Sequence, residues 1–481
     1  MQPVDVAFAG IAAQAEMLRR KEISARELVE SQLERITRLD PGLNCFRVVL
    51  AERALLEAAQ ADGRIGAGDE RPLLGVPVGI KDGWDLAGEL TTHGTGAYGA
   101  PPTEDSEFVT RLRAAGAIVI GKTHQPEFAQ WMFTESSTWG VTRNPWDLQR
   151  TPGGSSGGSG AAVAAGLVGA ASASDGAGSI RIPAAACGLF GLKPQRGRVP
   201  LTPFVDHWHG LSVAGTLTRS VLDTALWLDV VSGSSQRDPN TLPNPSEPFV
   251  AAAGRTPRPL RIAVSFASPT LAPVGAEQRS AVTATAELLA SLGHTILHED
   301  PDFGVRAGGI YSDIGASLSL RYLRGAVDDA AAIAHPRRLM RRTRRLARLG
   351  SLIPTSLLER DRTHEADLTA RVNRVFDRCD LLLTPTVPVA PLAVGALEGR
   401  GALACMLVGL RGFGAAFTGP WNVTGQPAAA VPAGFDAAGL PLSVQLVGRP
   451  ADEITLIEVA AQIEAERPWA LARPPGFDGT G

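Results

Sequence analysis

The stretch FVTRLRAAGAIVIGK, residues 108–122, decides the fold class. Phe108 to Ala115 carries apolar residues at helical spacing, and after Gly116 the run Ala117 to Ile120 is short, unbroken and apolar, as in a buried strand. Upstream, Leu73 to Ile80 is a second such run. Strand, helix and strand in that order imply an α/β layered core. The chain enters it through helices, because Ser24 and Glu27 form a capping box ahead of the periodic Leu28, Val29, Leu33 and Ile36. Downstream, Leu189 to Lys193, Asp223 to Val231 and Arg261 to Ser265 continue the mixed pattern, while Ala276 to Leu292 and Ala326 to Arg378 are mainly helical in character. Pro239 to Pro259, rich in Pro, Asn and Ser, has the composition of a surface connection. Two late apolar runs, Asp380 to Ala390 (DLLLTPTVPVA) and Leu440 to Val447, have the character of central strands, and Glu453 to Glu466 closes the chain with a helix. These late strands are expected to join the first half in one sheet. The expected architecture is therefore a single large α/β domain over residues 1–481, with a mixed, mostly parallel β-sheet core covered by helices.

Composition narrows the function. The chain has 481 residues, a formal charge of −3, 44% hydrophobic and 20% charged residues, which argues against disorder and gives no footprint for nucleic acid. Its four cysteines, Cys45, Cys187, Cys379 and Cys405, lack CxxC or CxxH spacing, so they build neither a disulfide framework nor a zinc knuckle and suit a reducing compartment. The opening MQPVDVAFAGIAAQ has no basic region ahead of its apolar residues and makes a poor signal peptide, so a cytoplasmic location is expected. The longest small-apolar run, Ala161 to Ala173, falls short of the roughly 20 residues a membrane helix needs, so no membrane association is expected. Seven arginines between Arg337 and Arg348 would suit an acidic partner, but a solvated helix face is the simpler reading.

Of 46 basic residues only Lys21, Lys81, Lys122 and Lys193 are lysines. Arginine stays charged in a protein whereas a desolvated lysine can lose its proton, so a lysine in an apolar setting is a candidate base. Lys21 lies in the charged run RRKE, and the other three follow apolar, strand-like runs that composition cannot rank. The passage PGGSSGGSG, Pro152 to Gly160, has the composition of a linker, yet Ala161 to Leu167 continues it as a helix former. No Lys-Ser or Lys-Thr follows, so the phosphate-loop pattern fails. What remains is a structured loop at a helix N-terminus, with Ser155 and Ser156 among backbone N–H groups that favour negative charge. Further on, DGAGSIRIP (Asp175 to Pro183) surrounds Ser179 with small residues and brackets it with Asp175 and Arg181. Successive N–H groups of Gly176, Ala177 and Gly178 can point at one spot, as stabilising an acyl-transfer oxyanion requires.

Together, GVPVGIKD (Gly75 to Asp82), GGSSGGSG (Gly153 to Gly160) and DGAGSIRIPAAACGLFGLKP (Asp175 to Pro194) resemble the amidase signature family of serine hydrolases. The resemblance extends to TRNPWD (Thr142 to Asp147), LTRSVLDTALWLDVV (Leu217 to Val231), LLLTPTVPVAP (Leu381 to Pro391) and WNVTGQPAAAVPAG (Trp421 to Gly434). It places the signature core at about residues 70–235 and leaves a variable helical segment, about 304–378, as the least recognisable part. The resemblance implies the amidase signature fold and a Ser, cis-Ser, Lys triad on Ser179, Ser155 and Lys81, with a cis peptide before Ser155. In that scheme neutral Lys81 takes a proton from Ser155, which relays it from the nucleophile Ser179. The resemblance also implies an oxyanion hole from the N–H groups of Gly176, Ala177, Gly178 and Ser179, and supporting roles for Ser156, Asp175 and Arg181. Two departures from the family pattern are visible: Ala177 stands where Gly is usual, and Thr216 follows Gly215 where Pro is common. The first narrows the approach to the hole without removing an N–H.

The implied activity is hydrolysis of a carboxylic amide, with no cofactor, no metal and a small-molecule amide as partner. Similar proteins are commonly dimers, which implies a homodimer. Because QWMFTESSTW (Gln130 to Trp139) is rich in large apolar residues and Phe204 and Trp208 lie in another candidate loop, the expected pocket contains Trp131, Met132, Phe133 and Trp208. It would favour apolar or aryl amides, with esters or carbamates as further substrates of the acyl-enzyme route. Two rivals stand beside this reading: the A-subunit of a glutamine-dependent amidotransferase, which shares the fold, and a metal-dependent hydrolase built on the HxH pair His207 and His209. No docking element supports the first, and no HExxH or clear third ligand accompanies the second.

Overall fold

The computed structural model describes residues 3–304 and 312–477. Ser24 starts the helix Ala25–Leu43 as expected: its hydroxyl accepts from the Glu27 N–H at 3.1 Å while its own N–H donates to the Glu27 carboxylate at 2.9 Å. Leu28, Val29 and Ile36 form the buried stripe of that helix. The decisive stretch becomes the helix Glu107–Ala114 followed by a strand, so the strand, helix, strand unit is present.

In chain order the first strands are β1 (Phe46–Val49), β2 (Pro77–Lys81) and β3 (Ile118–Thr123), then a two-stranded hairpin of β4 (Glu135–Ser136) and β5 (Gly140–Val141). Next come β6 (Ala170–Asp175), β7 (Gly191–Lys193) and β8 (Val213–Thr218). The second half adds β9 (Arg261–Val264), β10 (Thr295–His298), β11 (Leu381–Pro385), β12 (Ala428–Phe435) and β13 (Pro441–Val447). β2 is shorter than the run Leu73 to Ile80 suggested. Gly75 sits at φ +83°, and a methyl there would lie 2.9 Å from the Ala25 side chain, so Leu73 to Gly75 turn before the strand begins.

One sheet has the order β1-β3-β2-β6-β8 and a second the order β10-β9-β11-β13-β12-β7. The late strands thus build their own sheet, against the expectation of a single one. β7 belongs to that second sheet, and the residue preceding it, Phe190, bridges to Thr218 of β8, which ties the two sheets edge to edge. What the sequence shows as one set of buried strands is one core: Val78, Ile120 and Ala171 belong to the same apolar cluster as Leu383, Val444 and Leu446. Parallel pairing joins β3, β2 and β6 in the first sheet and β10, β9 and β11 in the second. The flanking pairs β1 with β3, β6 with β8, and β11 with β13, β12 and β7 in succession are antiparallel. The fold is therefore mixed α/β without the parallel majority expected. The reason is local for β12 and β13, since the tight turn Asp436 to Leu440 leaves no length for a crossover.

Helices Asp313–Ala332, Arg341–Ser351, Thr355–Thr363 and Glu365–Asn373 fill the segment expected to be helical, of which residues 305–311 lie outside the described residues. Arg337, Arg338, Arg341, Arg345 and Arg348 are exposed, as a solvated face requires. Arg342 is the exception: it turns inward, with its guanidinium 4.8 Å from the Phe133 ring centre. Among the described residues no helix is long and apolar enough to cross a membrane.

Candidate active site

The glycine loop adopts its conformation because neighbouring backbone passes too close for side chains. A Cβ on Gly154 would lie 2.6 Å from the Trp131 carbonyl oxygen and 2.7 Å from the Phe133 nitrogen. One on Gly158 would lie 2.5 Å from the His124 nitrogen. The peptide between Gly154 and Ser155 is cis, and the helix Gly157–Ala164 begins two residues later. Ser155 and Ser156 are thereby buried at the foot of that helix, facing the end of β2.

Lys81 is the last residue of β2 and is fully buried. Its Nζ lies 2.7 Å from Ser155 Oγ, 2.9 Å from Ser156 Oγ and 2.8 Å from Ser174 Oγ. Its backbone N–H donates to Ser172 Oγ at 2.8 Å, so β6 positions both ends of the residue. Burial drives the Lys81 amine well below the ordinary lysine range, and the Asp175 charge only partly opposes it. A neutral amine has two N–H donors and one lone pair. The Ser156 hydroxyl spends its proton on the Ser174 carbonyl oxygen, so toward Lys81 it can only accept. The second N–H and the lone pair are then divided between Ser155 and Ser174. Either Ser155 or Ser174 can therefore give its proton to the amine.

The two other buried lysines differ in their partners. Lys122 Nζ is 3.1 Å from the Asp82 carboxylate, and Lys193 Nζ donates to the carbonyl oxygens of Pro194 at 2.9 Å and Gly425 at 3.4 Å. Only Lys81, among these three, is surrounded by hydroxyls alone.

The loop Asp175 to Arg181 is fixed by its carboxylate. Asp175, fully buried, accepts from the Gly178 N–H at 2.6 Å, the Ile180 N–H at 3.2 Å, Arg181 Nε at 3.0 Å and Nη2 at 2.9 Å, and Asn422 Nδ2 at 2.9 Å. Burial would raise its pKa, but Arg181, Lys193 and Asn422 outweigh that and hold it at about 2. Arg181 also donates to the Thr418 carbonyl, Gln445 Oε1 and Asn422 Oδ1, each at 2.8 Å. Gly178 adopts φ +133°, which suits a residue without a side chain. Its N–H is committed to Asp175, so of the four donors expected to form an oxyanion hole Gly178 is turned away. The N–H groups of Gly176, Ala177 and Ser179 have no partner among the described residues, and Ala177 and Ser179 line a cavity. No hydrogen bond joins Ser155 to Ser179 among the described residues. Ser179 instead shares this cavity with Gly154, the residue before Ser155.

That cavity, open to solvent, has walls of Trp131, Met132, Trp208, Ile182, Leu318 and Tyr322. Of the four expected pocket residues, Phe133 is not part of it. Its ring stacks behind Trp131 at 6.2 Å and lies under Arg342. Trp208 is held by its Nε1–H, which donates to Asp329 at 2.9 Å, and the Tyr322 hydroxyl donates to the Gln130 carbonyl at 2.6 Å. His207 and His209 point to different carboxylates, Asp329 at 3.2 Å and Asp328 at 3.0 Å, and no group of three metal-ligating side chains occurs among the described residues.

Sequence reasoning missed Ser172 and Ser174, although their alternation in ASASD (residues 171–175) marks one face of a strand and was a usable signal. It also missed Thr418, Asn422 and Gln445, which reach Arg181 from more than two hundred residues away.

The profile of the amidase family matches residues 27–457. The Mycobacterium tuberculosis protein named "Putative amidase AmiB2" is 50% identical over 476 residues, covering 98% of this chain and 99% of its own. The 6-aminohexanoate-cyclic-dimer hydrolase of Paenarthrobacter ureafaciens is 35% identical over 512 residues, covering 96% of this chain and 95% of its own. The crystal structure of a bacterial aryl acylamidase of the amidase signature family superposes with a TM-score of 0.85 at 28% identity, over 96% of each chain.

Proposed function

Because this chain belongs to the amidase signature family of amide hydrolases, we propose that it cleaves the amide C–N bond through an acyl-enzyme on Ser179, with Ser155 and Lys81 as a two-step proton relay. The observation that carries the proposal is the buried Lys81 amine, depressed by burial and 2.7 Å from Ser155 Oγ. Ser179 Oγ attacks the carbonyl carbon and its proton passes to Ser155 as the Ser155 proton passes to Lys81. The tetrahedral oxyanion is met by the free N–H groups of Gly176, Ala177 and Ser179. The proton then returns from Lys81 through Ser155 to the amide nitrogen, the C–N bond breaks, and the amine departs. Water repeats the sequence on the ester and releases the carboxylate. Ser179 and Ser155 close to hydrogen-bonding distance when the substrate carbonyl is seated, a tightening that free enzymes often need.

The apolar walls around Ser179 support an apolar or aryl acyl group, with esters and carbamates of the same acyl groups as further substrates. A fluorophosphonate should modify Ser179 alone, as mapped by mass spectrometry of the labelled peptide. Activity that survives complete labelling, or a label on another residue, would refute the nucleophile. A screen in which small polar amides outrun anilides would refute the acyl preference.

A further inference from the structure

Behind the wall formed by Gln130 and Trp208 lies a second cavity, open to solvent, which meets the first at Ala129. Gln130 and Trp208 line the first cavity, and their side chains donate to Asp329, which lines the second. Ser174, whose hydroxyl is 2.8 Å from Lys81 Nζ, also lines the second cavity. This fixes the direction of a bound substrate. The acyl group lies beside Ser179 and Ala177 in the first cavity, whereas the departing nitrogen must face the relay that returns its proton, on the Lys81 and Ser174 side. The second cavity therefore lies where the leaving amine extends.

Its recognition element is Gln125. This side chain is 3% exposed, lines the cavity, and its carboxamide has no hydrogen-bond partner among the described residues. Gly83 leaves room for it, since a Cβ there would lie 2.8 Å from Gln125 Oε1. A carboxamide that faces the cavity offers one donor and one acceptor side by side, and a ligand that presents both in turn meets it best. Another carboxamide does so, its N–H meeting Gln125 Oε1 and its carbonyl meeting Nε2. A free carboxylate at this place would face Asp329 and the more exposed Asp328. A cation gains little from Asp329, whose oxygens already accept from Trp208, Gln130 and His207. The rings of Trp84, Phe128 and Phe204 complete an apolar enclosure for a neutral group.

We propose that the second cavity is the leaving-group subsite and that Gln125 selects amines carrying a further carboxamide, so that the substrates are amides of amino-carboxamides. This rests on the reaction proposed above. The test compares kcat/KM for 4-phenylbutanoyl amides of glycinamide, glycine and n-propylamine, with the 4-phenylbutanoyl anilide as control, in the wild type, Ser179→Ala and Gln125→Met. The glycinamide substrate should exceed both the propylamine and the glycine substrates by at least about tenfold in the wild type. Gln125→Met should bring the glycinamide to propylamine ratio near one, through KM more than kcat. A wild-type ratio near one overturns the inference even if Gln125→Met fails to fold, and so does a ratio that survives the substitution. If the anilide is hydrolysed in a Ser179-dependent manner while the leaving groups are not distinguished, this inference alone fails. If no Ser179-dependent hydrolysis of any of the four occurs, the proposed reaction fails with it.

Discussion

Replacing Lys81 with Met removes the amine while keeping an unbranched side chain of similar length, and it separates what Lys81 does for rate from what it does for stability. A positioned general base contributes roughly 10²–10⁴-fold, or about 2.7–5.5 kcal/mol of activation free energy, so kcat/KM on an anilide should fall by at least that factor. Stability should move little at neutral pH. Ser155, Ser156 and Ser174 each lose a hydrogen-bond partner, at a cost of about 0.5–1.5 kcal/mol apiece, while the desolvation of the amine is relieved. The pH dependence gives the sign. Burial depresses the Lys81 pKa below its ordinary 10.5, so between those values the unfolded chain binds a proton that the folded chain does not. Wild-type stability therefore rises with pH across that window, by about 1.4 kcal/mol for each unit of depression, and the Met variant lacks this slope. The variant gains on the wild type toward neutral pH and loses ground toward pH 10.5. Urea denaturation of both proteins from neutral to alkaline pH, with anilide kinetics alongside, measures the two effects. Turnover within tenfold of wild type, or parallel stability curves, would refute a neutral buried base.

Ser179→Ala should abolish turnover and fluorophosphonate labelling while changing unfolding free energy by no more than about 1 kcal/mol, because the side chain faces the cavity and makes no hydrogen bond among the described residues. Ser155→Ala should lower kcat/KM by roughly 10²–10⁴-fold, and combining it with Lys81→Met should cost little more than either alone, since the proposed relay runs through both. Gly154→Ala should lower the melting temperature through a loss of roughly 1–3 kcal/mol, because the new methyl would meet the Trp131 carbonyl at 2.6 Å. Arg181→Met should cost about 3–5 kcal/mol at neutral pH by leaving the Asp175 charge buried and unpaired. That gap should narrow in acid denaturation curves as pH falls from the ordinary 3.8 of an aspartate toward the value of about 2 for Asp175, where the wild type loses the same contribution.

The sequence was most legible where a signal is local. The capping box at Ser24, the strand, helix and strand around residues 108–122, and the last helix, Glu453–Glu466, follow from periodicity and caps, which depend on near neighbours. Strand partners were not legible, because an apolar run reports burial and says nothing about which edge it joins. β7, three residues long, makes that choice when it pairs with β12 after Phe190 bridges to β8. The site divides in the same way. The glycine loops and their serines are visible as motifs, but Lys81, Lys122 and Lys193 look alike until their partners are seen to be hydroxyls, a carboxylate and carbonyls. Trp131 and Phe133 are two residues apart and equally apolar, yet one lines the cavity and the other backs it. Gly178 shows the limit of reading a run of small residues as a row of donors, since the run does not reveal that Asp175 claims one of them.

The charges around the serines explain how a strand-end lysine can be held neutral beside a buried carboxylate. Asp175 is the charge that would protonate Lys81, and an unpaired carboxylate in a low-dielectric interior would act strongly. Arg181 grips it through Nε and Nη2, and Asn422 and two loop N–H groups take up further capacity on its oxygens. Asp175 still opposes the depression of Lys81, but desolvation is the larger effect and decides its protonation state. The same carboxylate draws in the N–H groups on either side of Ser179, at Gly178 and Ile180, which fixes the loop while leaving the N–H groups of Gly176, Ala177 and Ser179 unclaimed. In the proposed mechanism Asp175 thus positions the oxyanion donors and Arg181 offsets its charge, so electrostatic support for the transition state and for the proton relay would rest on a single buried ion pair that touches neither reacting atom.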